Sequence, residues 1–294
     1  METNESPSMR TLTRTLRWEG MGIHTGQPVT LTLRPLSPDQ RVILYREAGS
    51  LWLLRRRTSR RSYEWPVSAR FVVRTAHATS IGESRVHVAT VEHVLAALMG
   101  LRVGGIVLEV DGPEMPILDG SAGPFVEALQ ESLTETAEPW PSVDLPEAID
   151  VTAESAWVRA EPADRLVVEY TIEFDHPAIG RQAWMGVWPD VDFGRDLAPA
   201  RTFGFLRQGD VLRARGLARG ASPENTVLLD DAAVVNPPLR FPDEFVRHKV
   251  LDLLGDLALL GGGWPRAHIR VYRGGHRLHV ELVRRWIAVR EMVR

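Results

Sequence analysis

The sequence predicts an α+β fold in which one layered α/β-sandwich unit occurs twice. Three observations carry this. Helical spacing is confined to four long stretches, two in each half, while strand-like alternation fills much of the remainder. The stretches HVLAALMG (93–100) and HKVLDLLG (248–255) share the pattern His-x6-Gly, with Leu98 aligned to Leu253. Each is followed by a glycine-rich turn, a short β-rich segment and a further helix. Between the halves, TETAEPWPSVDLPEA (134–148) is rich in proline and acid and breaks periodicity. The expected organisation is an N-terminal domain over 1–135, a linker over 136–147 and a C-terminal domain over 148–294.

Residues 11–45 alternate as strands do, with VTLTLRP (29–35) and RVILYRE (41–47) as examples and GMGIHTGQP (20–28) as a turn. SLWLLRRRTSRR (50–61) reads as a hairpin whose tip is solvated. Its five arginines are also a candidate patch for anionic lipid head groups, a peripheral contact with the inner membrane surface. Strand patterns return at ARFVVRTAHATS (69–80) and SRVHVAT (84–90). TVEHVLAALMG (90–100) predicts a helix with Thr90 as N-cap and Val91, Val94, Leu95 and Leu98 as its apolar stripe. GGIVLEVDG (104–112) is a short buried strand, and SAGPFVEALQESL (121–133) a helix with Pro124 near its start. After residue 148, strands are predicted in AESAWVRAEP, RLVVEYTIEF and RQAWMGVWPD. Then come the helix PDEFVRHKVLDLLGDLALLG, the strand HIRVYRG and the closing helix RLHVELVRRWIAVREMV.

At 294 residues, 44% hydrophobic and 25% charged, the chain reads as a soluble globular protein. A net charge of −3 gives no global nucleic-acid signal. The absence of cysteine excludes disulfides, thiolate nucleophiles and cysteine–zinc sites, and suits a reducing compartment. The start, METNESPSMR, lacks the apolar stretch of a secretory signal, and no apolar run approaches the ~18 residues of a transmembrane helix. A cytoplasmic monomer is expected.

The chemistry-bearing residues begin at the second long helix. His248 and Asp252 are four apart and therefore share a helix face, and Asp256 extends the stripe by a turn. Two acids and a histidine on so apolar a helix are costly unless paired or metal-bound, so the stripe is either an ion-paired surface or a metal site. In the first helix, Glu92 and His93 align with Arg247 and His248. If the halves pack face to face, His93, His248 and Asp252 form an N2O set of the kind catalytic zinc uses, and iron is accepted by the same set. Glu92, next to a ligand, is placed to take a proton from water. HExxH is absent. His276, after two glycines in YRGGHRLH, is a candidate proton donor to a leaving amine, with Asp256 to orient it. In RTFGF (201–205), Thr202 could donate to an oxyanion and Phe203 could stack on a sugar. Lys249 is the only lysine, set against 34 arginines. A compact ammonium differs from a planar fork, which makes it a candidate functional residue.

These motifs resemble the UDP-3-O-acyl-N-acetylglucosamine deacetylase (LpxC) family. The resemblance runs through GMGIHTGQPVTLTLRP, TVEHVLAALMGL, EVDGPEMPILDGSAGPF, FDHPAI, ARTFGFLR and DEFVRHKVLDLLGDL, covering nearly the whole chain. It implies a zinc amidase of lipid A synthesis acting on a UDP-linked acylated glucosamine. The fold implied is two layered domains, each with a small insert and with the active site at their interface. Position by position, it implies His93, His248 and Asp252 as metal ligands and Glu92 as general base. It implies His276 as general acid with Asp256 as partner, Thr202 at the oxyanion and Phe203 lining the sugar site. Lys249 would contact substrate near the metal, Arg273 would face the diphosphate, and His24 would lie near the sugar pocket. The chain departs from the family at GHRLHV, where His279 and Val280 replace two asparagines, which alters the support around His276. It departs again at His77, Gly209, Pro223 and Thr226, where larger or more apolar residues line the acyl passage. Since acyl burial contributes about 0.8 kcal/mol per methylene, a loosened acyl-chain preference is expected. A deacetylase of another N-acetylated sugar nucleotide and a non-catalytic homologue are the alternatives.

Overall fold

The computed structural model describes residues 7–293. The first half runs β1 (Ser8–Leu12), β2 (Leu16–Met21), β3 (Pro28–Pro35), α1 (Pro38–Ala48), β4 (Trp52–Arg57), β5 (Ser62–Pro66), β6 (Val72–Arg74), β7 (Ser80–Gly82), β8 (His87–Val88), α2 (Glu92–Gly100), β9 (Ile106–Val110) and α3 (Gly123–Gln130). The crossing between halves holds β10 (Leu133–Pro139) and β11 (Ser142–Asp144). The second half runs β12 (Ile149–Ala153), β13 (Ala156–Pro162), β14 (Val167–Glu173), β15 (Arg181–Val187), α4 (Phe193–Asp196), β16 (Phe203–Phe205), α5 (Leu206–Ala214), β17 (Val227–Leu229), α6 (Glu244–Leu257), β18 (Trp264–Tyr272) and α7 (His276–Val293).

The duplication is written in the strand order. One main sheet is ordered β2-β3-β9-β4-β5 and the other β12-β13-β18-β14-β15, with β11 joining β18 beyond β13. In each, the strand that follows the buried helix inserts centrally, antiparallel to one neighbour and parallel to the other. Leu33 faces Leu108 across β3 and β9, and Ala160 faces Ile269 across β13 and β18. Period-2 alternation sends Leu31, Leu33, Leu54 and Leu108 from one sheet, and Val158, Val168, Ile269 and Val271 from the other, into the core. Each half carries an insert, the small sheet β6-β7-β8 in the first and the pair β16-β17 with α4 and α5 in the second.

Helices α2 and α6 are buried almost from end to end and pack on each other between the two halves. Gly255 sets their separation. A Cβ built there would stand 2.1 Å from the Glu92 carbonyl oxygen, a backbone atom that cannot swing aside. Gly255→Ala is therefore expected to destabilise the protein by at least the ~1–3 kcal/mol typical of core overpacking, as measured by denaturant unfolding.

Three expectations change. RVILYRE (41–47) lies in α1, not in a strand. Ser37 and Gln40 form a capping box, Pro38 opens the helix, and Gly49 closes it in the left-handed conformation. No residue of α1 is buried, so the alternation of Val42, Leu44 and their neighbours has no sheet face to fill. Thr90 does not cap α2; Val91 occupies that position, and the Thr90 hydroxyl donates to the buried Glu114 carboxylate at 2.8 Å. The segment 134–148 is largely extended, its β10 pairing with β1 and its β11 with β18. The Arg-rich hairpin forms from β4 and β5. Its basic charge is partly met internally, Arg55 bonding Glu64 at 2.6 Å and Glu109 at 3.3 Å, and Arg57 bonding Glu109 at 3.2 Å. Among the described residues, no helix is long and apolar enough to cross a membrane.

Candidate metal centre

The start of α2 and the middle of α6 bring His93, His248 and Asp252 together. Candidate ligand atoms of all three lie within 4.8 Å of one another. His248 Nε2 is 3.4 Å and His93 Nε2 3.7 Å from Asp252 Oδ1, and the two rings stand edge to face at 5.1 Å. The site joins the two halves of the chain, as the face-to-face packing of the repeat requires.

The donor set fits a divalent cation. Asp252 Oδ1 is a buried oxygen with no hydrogen-bond partner, whereas Oδ2 takes the Lys249 ammonium at 2.7 Å. An orphaned carboxylate oxygen inside a protein costs about 1–3 kcal/mol or more, which a metal ion removes. His248 Nδ1 donates to the Ala200 carbonyl at 3.0 Å, leaving the Nε2 lone pair directed at Asp252. Burial, with His248 beside it, lowers His93 to about 3, and burial also lowers His248, so both imidazoles are neutral donors. Burial opposes the charge on Asp252, but the Lys249 ammonium, with a charged His276 beside it, outweighs it and holds the carboxyl well below its usual range.

Beside this cluster, His276 Nε2 is 3.7 Å from Glu92 Oε1, and His276 Nδ1 bonds Asp256 Oδ2 at 2.9 Å. Burial pushes the Glu92 carboxyl up to about 8, reinforced by Asp252 and Asp256 and opposed by His276. Burial works against a charged His276, yet Asp256, Glu92 and Asp252 raise it to about 10. Glu92 Oε2 accepts the Thr79 N–H at 3.1 Å, which leaves Oε1 facing His276.

The other sequence candidates are spread more widely. Phe203 packs edge-on to His248 at 6.4 Å, and the Lys249 ammonium lies 5.6 Å from the Phe203 ring centre. Thr202 is half-buried between Ala200 and Phe203, and its backbone is tied to Gly120 and Val227. His24 is half-buried in its turn, 6.3 Å from the exposed His77 ring. Arg273 is exposed, with φ +52°, in the turn leading to His276. A surface groove of about 550 Å³ lies elsewhere, lined by Arg17, Arg34, Arg57 and Glu109 among others. It holds none of these residues.

Sequence reasoning missed the residues that hold the cluster in place. Glu114, fully buried, accepts the backbone N–H groups of His24 and Thr25 and the hydroxyls of Thr25 and Thr90. Glu244, also fully buried, takes the Arg201 guanidinium through both oxygens at 2.9 and 3.2 Å and so anchors RTFGF. Thr79 Oγ1 donates to Asp256 Oδ1 at 2.6 Å. The available signal was an acid embedded in an apolar or proline-flanked motif, as in GPEMP and DEFVRH.

Residues 9–288 match the family model described as LpxC, UDP-3-O-acyl N-acetylglycosamine deacetylase. The chain is 40% identical over 282 residues to the UDP-3-O-acyl-N-acetylglucosamine deacetylase of Myxococcus xanthus, covering 95% of this chain and 86% of that one. It is 42% identical over 281 residues to that of Thermosynechococcus vestitus, covering 94% and 93%. With Trichormus variabilis the figures are 40% over 290 residues, 95% and 98%. A match spanning both halves, together with a fold in which the duplicated units meet at the histidine–aspartate cluster, shows that this chain belongs to the LpxC family.

Proposed function

We propose that the protein hydrolyses the 2-N-acetyl group of UDP-3-O-acyl-N-acetylglucosamine, releasing acetate, in lipid A biosynthesis. The observation that carries this is the orphaned Asp252 oxygen facing two neutral imidazoles, next to a separate carboxyl–imidazole pair. His93, His248 and Asp252 would hold the ion, with zinc the expected metal and ferrous iron accepted by the same donors. A bound divalent ion supplies Lewis acidity, polarising the amide carbonyl and acidifying water.

The chain's own groups do the rest. Glu92 in its ionised form, which a divalent cation held beside it would favour, accepts the proton from water at Oε1. His276 gives its Nε2 proton to the departing sugar amine, while Asp256 holds Nδ1. Thr202 donates its hydroxyl to the charge growing on the carbonyl oxygen. Lys249 steadies Asp252 and places a compact cation at the rim, a task for which a forked guanidinium is poorly shaped. Phe203 and His24 line the sugar site, and Arg273 faces the diphosphate.

Acetate release from the acylated UDP-sugar by zinc-loaded protein tests the reading, and metal-replete protein that releases none contradicts it. Comparison with unacylated UDP-N-acetylglucosamine tests the acyl passage. Polar His77 and Thr226 predict a weak chain preference in kcat/KM; a preference of about a thousandfold, roughly 4 kcal/mol, would show that the passage is intact.

A further inference from the structure

We infer that His279 is a positioning residue for His276, acting through Asp256 and braced from behind by Tyr170. The inference rests on the reading of His276 as proton donor.

Asp256 is fully buried and meets three donors. Thr79 Oγ1 bonds Oδ1 at 2.6 Å, while His276 Nδ1 and His279 Nδ1 both bond Oδ2 at 2.9 Å. An ionised carboxylate only accepts, so both Nδ1 atoms carry protons. His279 Nε2 is left as an acceptor for the Tyr170 hydroxyl, 3.0 Å away. Burial lowers His279 and raises Tyr170, so the ring stays neutral and the phenol keeps its proton. The relay Tyr170–His279–Asp256–His276 therefore has one consistent arrangement of protons. It also has one arrangement of heavy atoms. His276 and His279 are three residues apart at the start of α7, on one face, and reach the same oxygen from adjacent directions.

Space for the relay is provided by the turn before α7. A Cβ at Gly274 would lie 3.0 Å from the Tyr170 hydroxyl and 3.1 Å from His279 Nε2. Without the His279 N–H, one lone pair of Asp256 Oδ2 is buried and unmet. The carboxylate can then turn about its bond to Cβ, carrying His276 with it. The two imidazoles thus have different work, since His276 alone faces Glu92 and Asp252. His279 touches neither.

The test compares His279→Leu, which removes the donor, with His279→Asn, whose amide N–H can replace Nδ1. Zinc-loaded full-length protein is assayed for acetate release, with metal content measured in parallel. His279→Leu is expected to lower kcat by about tenfold or more with KM within about twofold and zinc retained, and His279→Asn to recover most of the rate. A kcat for His279→Leu within about twofold of wild type, or an equal loss in His279→Asn, overturns the inference. Should His279→Leu fail to fold, Tyr170→Phe carries the test: kcat falls by about threefold or more at unchanged KM, or the inference is wrong. His276→Gln measured alongside separates the two ideas. A slow His276→Gln with a full-rate His279→Leu overturns the His279 role alone, whereas a full-rate His276→Gln overturns it together with the proton-donor reading.

Discussion

Glu92→Ala lowers kcat by about 10²–10⁴-fold, the usual contribution of a general base, while bound zinc stays at the wild-type level. The separation follows from geometry. Glu92 lies in the first turn of α2 beside His93, but its carboxylate turns toward His276 and Thr79 and is not one of the set His93, His248 and Asp252, although it lies within 4.8 Å of Asp252. Removing it leaves that donor set whole. Folding should also survive, because burial already disfavours the Glu92 charge and the neighbouring backbone donor released is the Thr79 N–H. Rapid-quench turnover with metal analysis checks both halves of the expectation. Loss of zinc along with rate would move Glu92 into the ligand set, and an unchanged rate would remove it from the reaction.

His93→Ala abolishes measurable acetate release by removing the metal. His93 is the one proposed ligand supplied by the N-terminal half, so its loss leaves only His248 and Asp252, both from α6. Altering a residue that merely supports a ligand commonly costs 10–100-fold in affinity, so losing the ligand itself is expected to cost at least ~100-fold. Competition with a zinc chelator measures this. In the metal-free state the cost is that of the cavity left where the buried imidazole packs edge to face on His248. Wild-type zinc affinity in His93→Ala would break the link between the two halves on which the proposed chemistry depends.

Much of the candidate cluster was legible because helices are local. The i, i+4 spacing of His248 and Asp252 fixes a shared face without any knowledge of the fold, and the His-x6-Gly repeat places His93 opposite. The supports were not legible, because they come from distant sequence. Thr79 and Asp256 are 177 residues apart, Tyr170 and His279 109, and Glu114 and His24 90. Strand order was hidden for the same reason. Nothing local in GGIVLEVDG or HIRVYRG states that each enters the centre of its sheet, parallel to one neighbour and antiparallel to the other. Where local signals compete, the structure shows which prevails. In α1, the Ser37–Gln40 box and Gly49 override the alternation of RVILYRE. At Thr90, the buried Glu114 carboxylate draws the hydroxyl away from the helix it was expected to cap.

The most direct measurement is the anomalous scattering of zinc in crystals of the zinc-loaded protein. Two other groups of side chains lie close enough to hold an ion, Asp256 with His276 and His279, and Glu92 with Asp252 and His276. In the first, Asp256 already accepts three hydrogen bonds. A single strong peak within ~2.0–2.2 Å of His93 Nε2, His248 Nε2 and an Asp252 carboxylate oxygen is expected. A peak at either of the other groups, with none among His93, His248 and Asp252, contradicts the assigned centre.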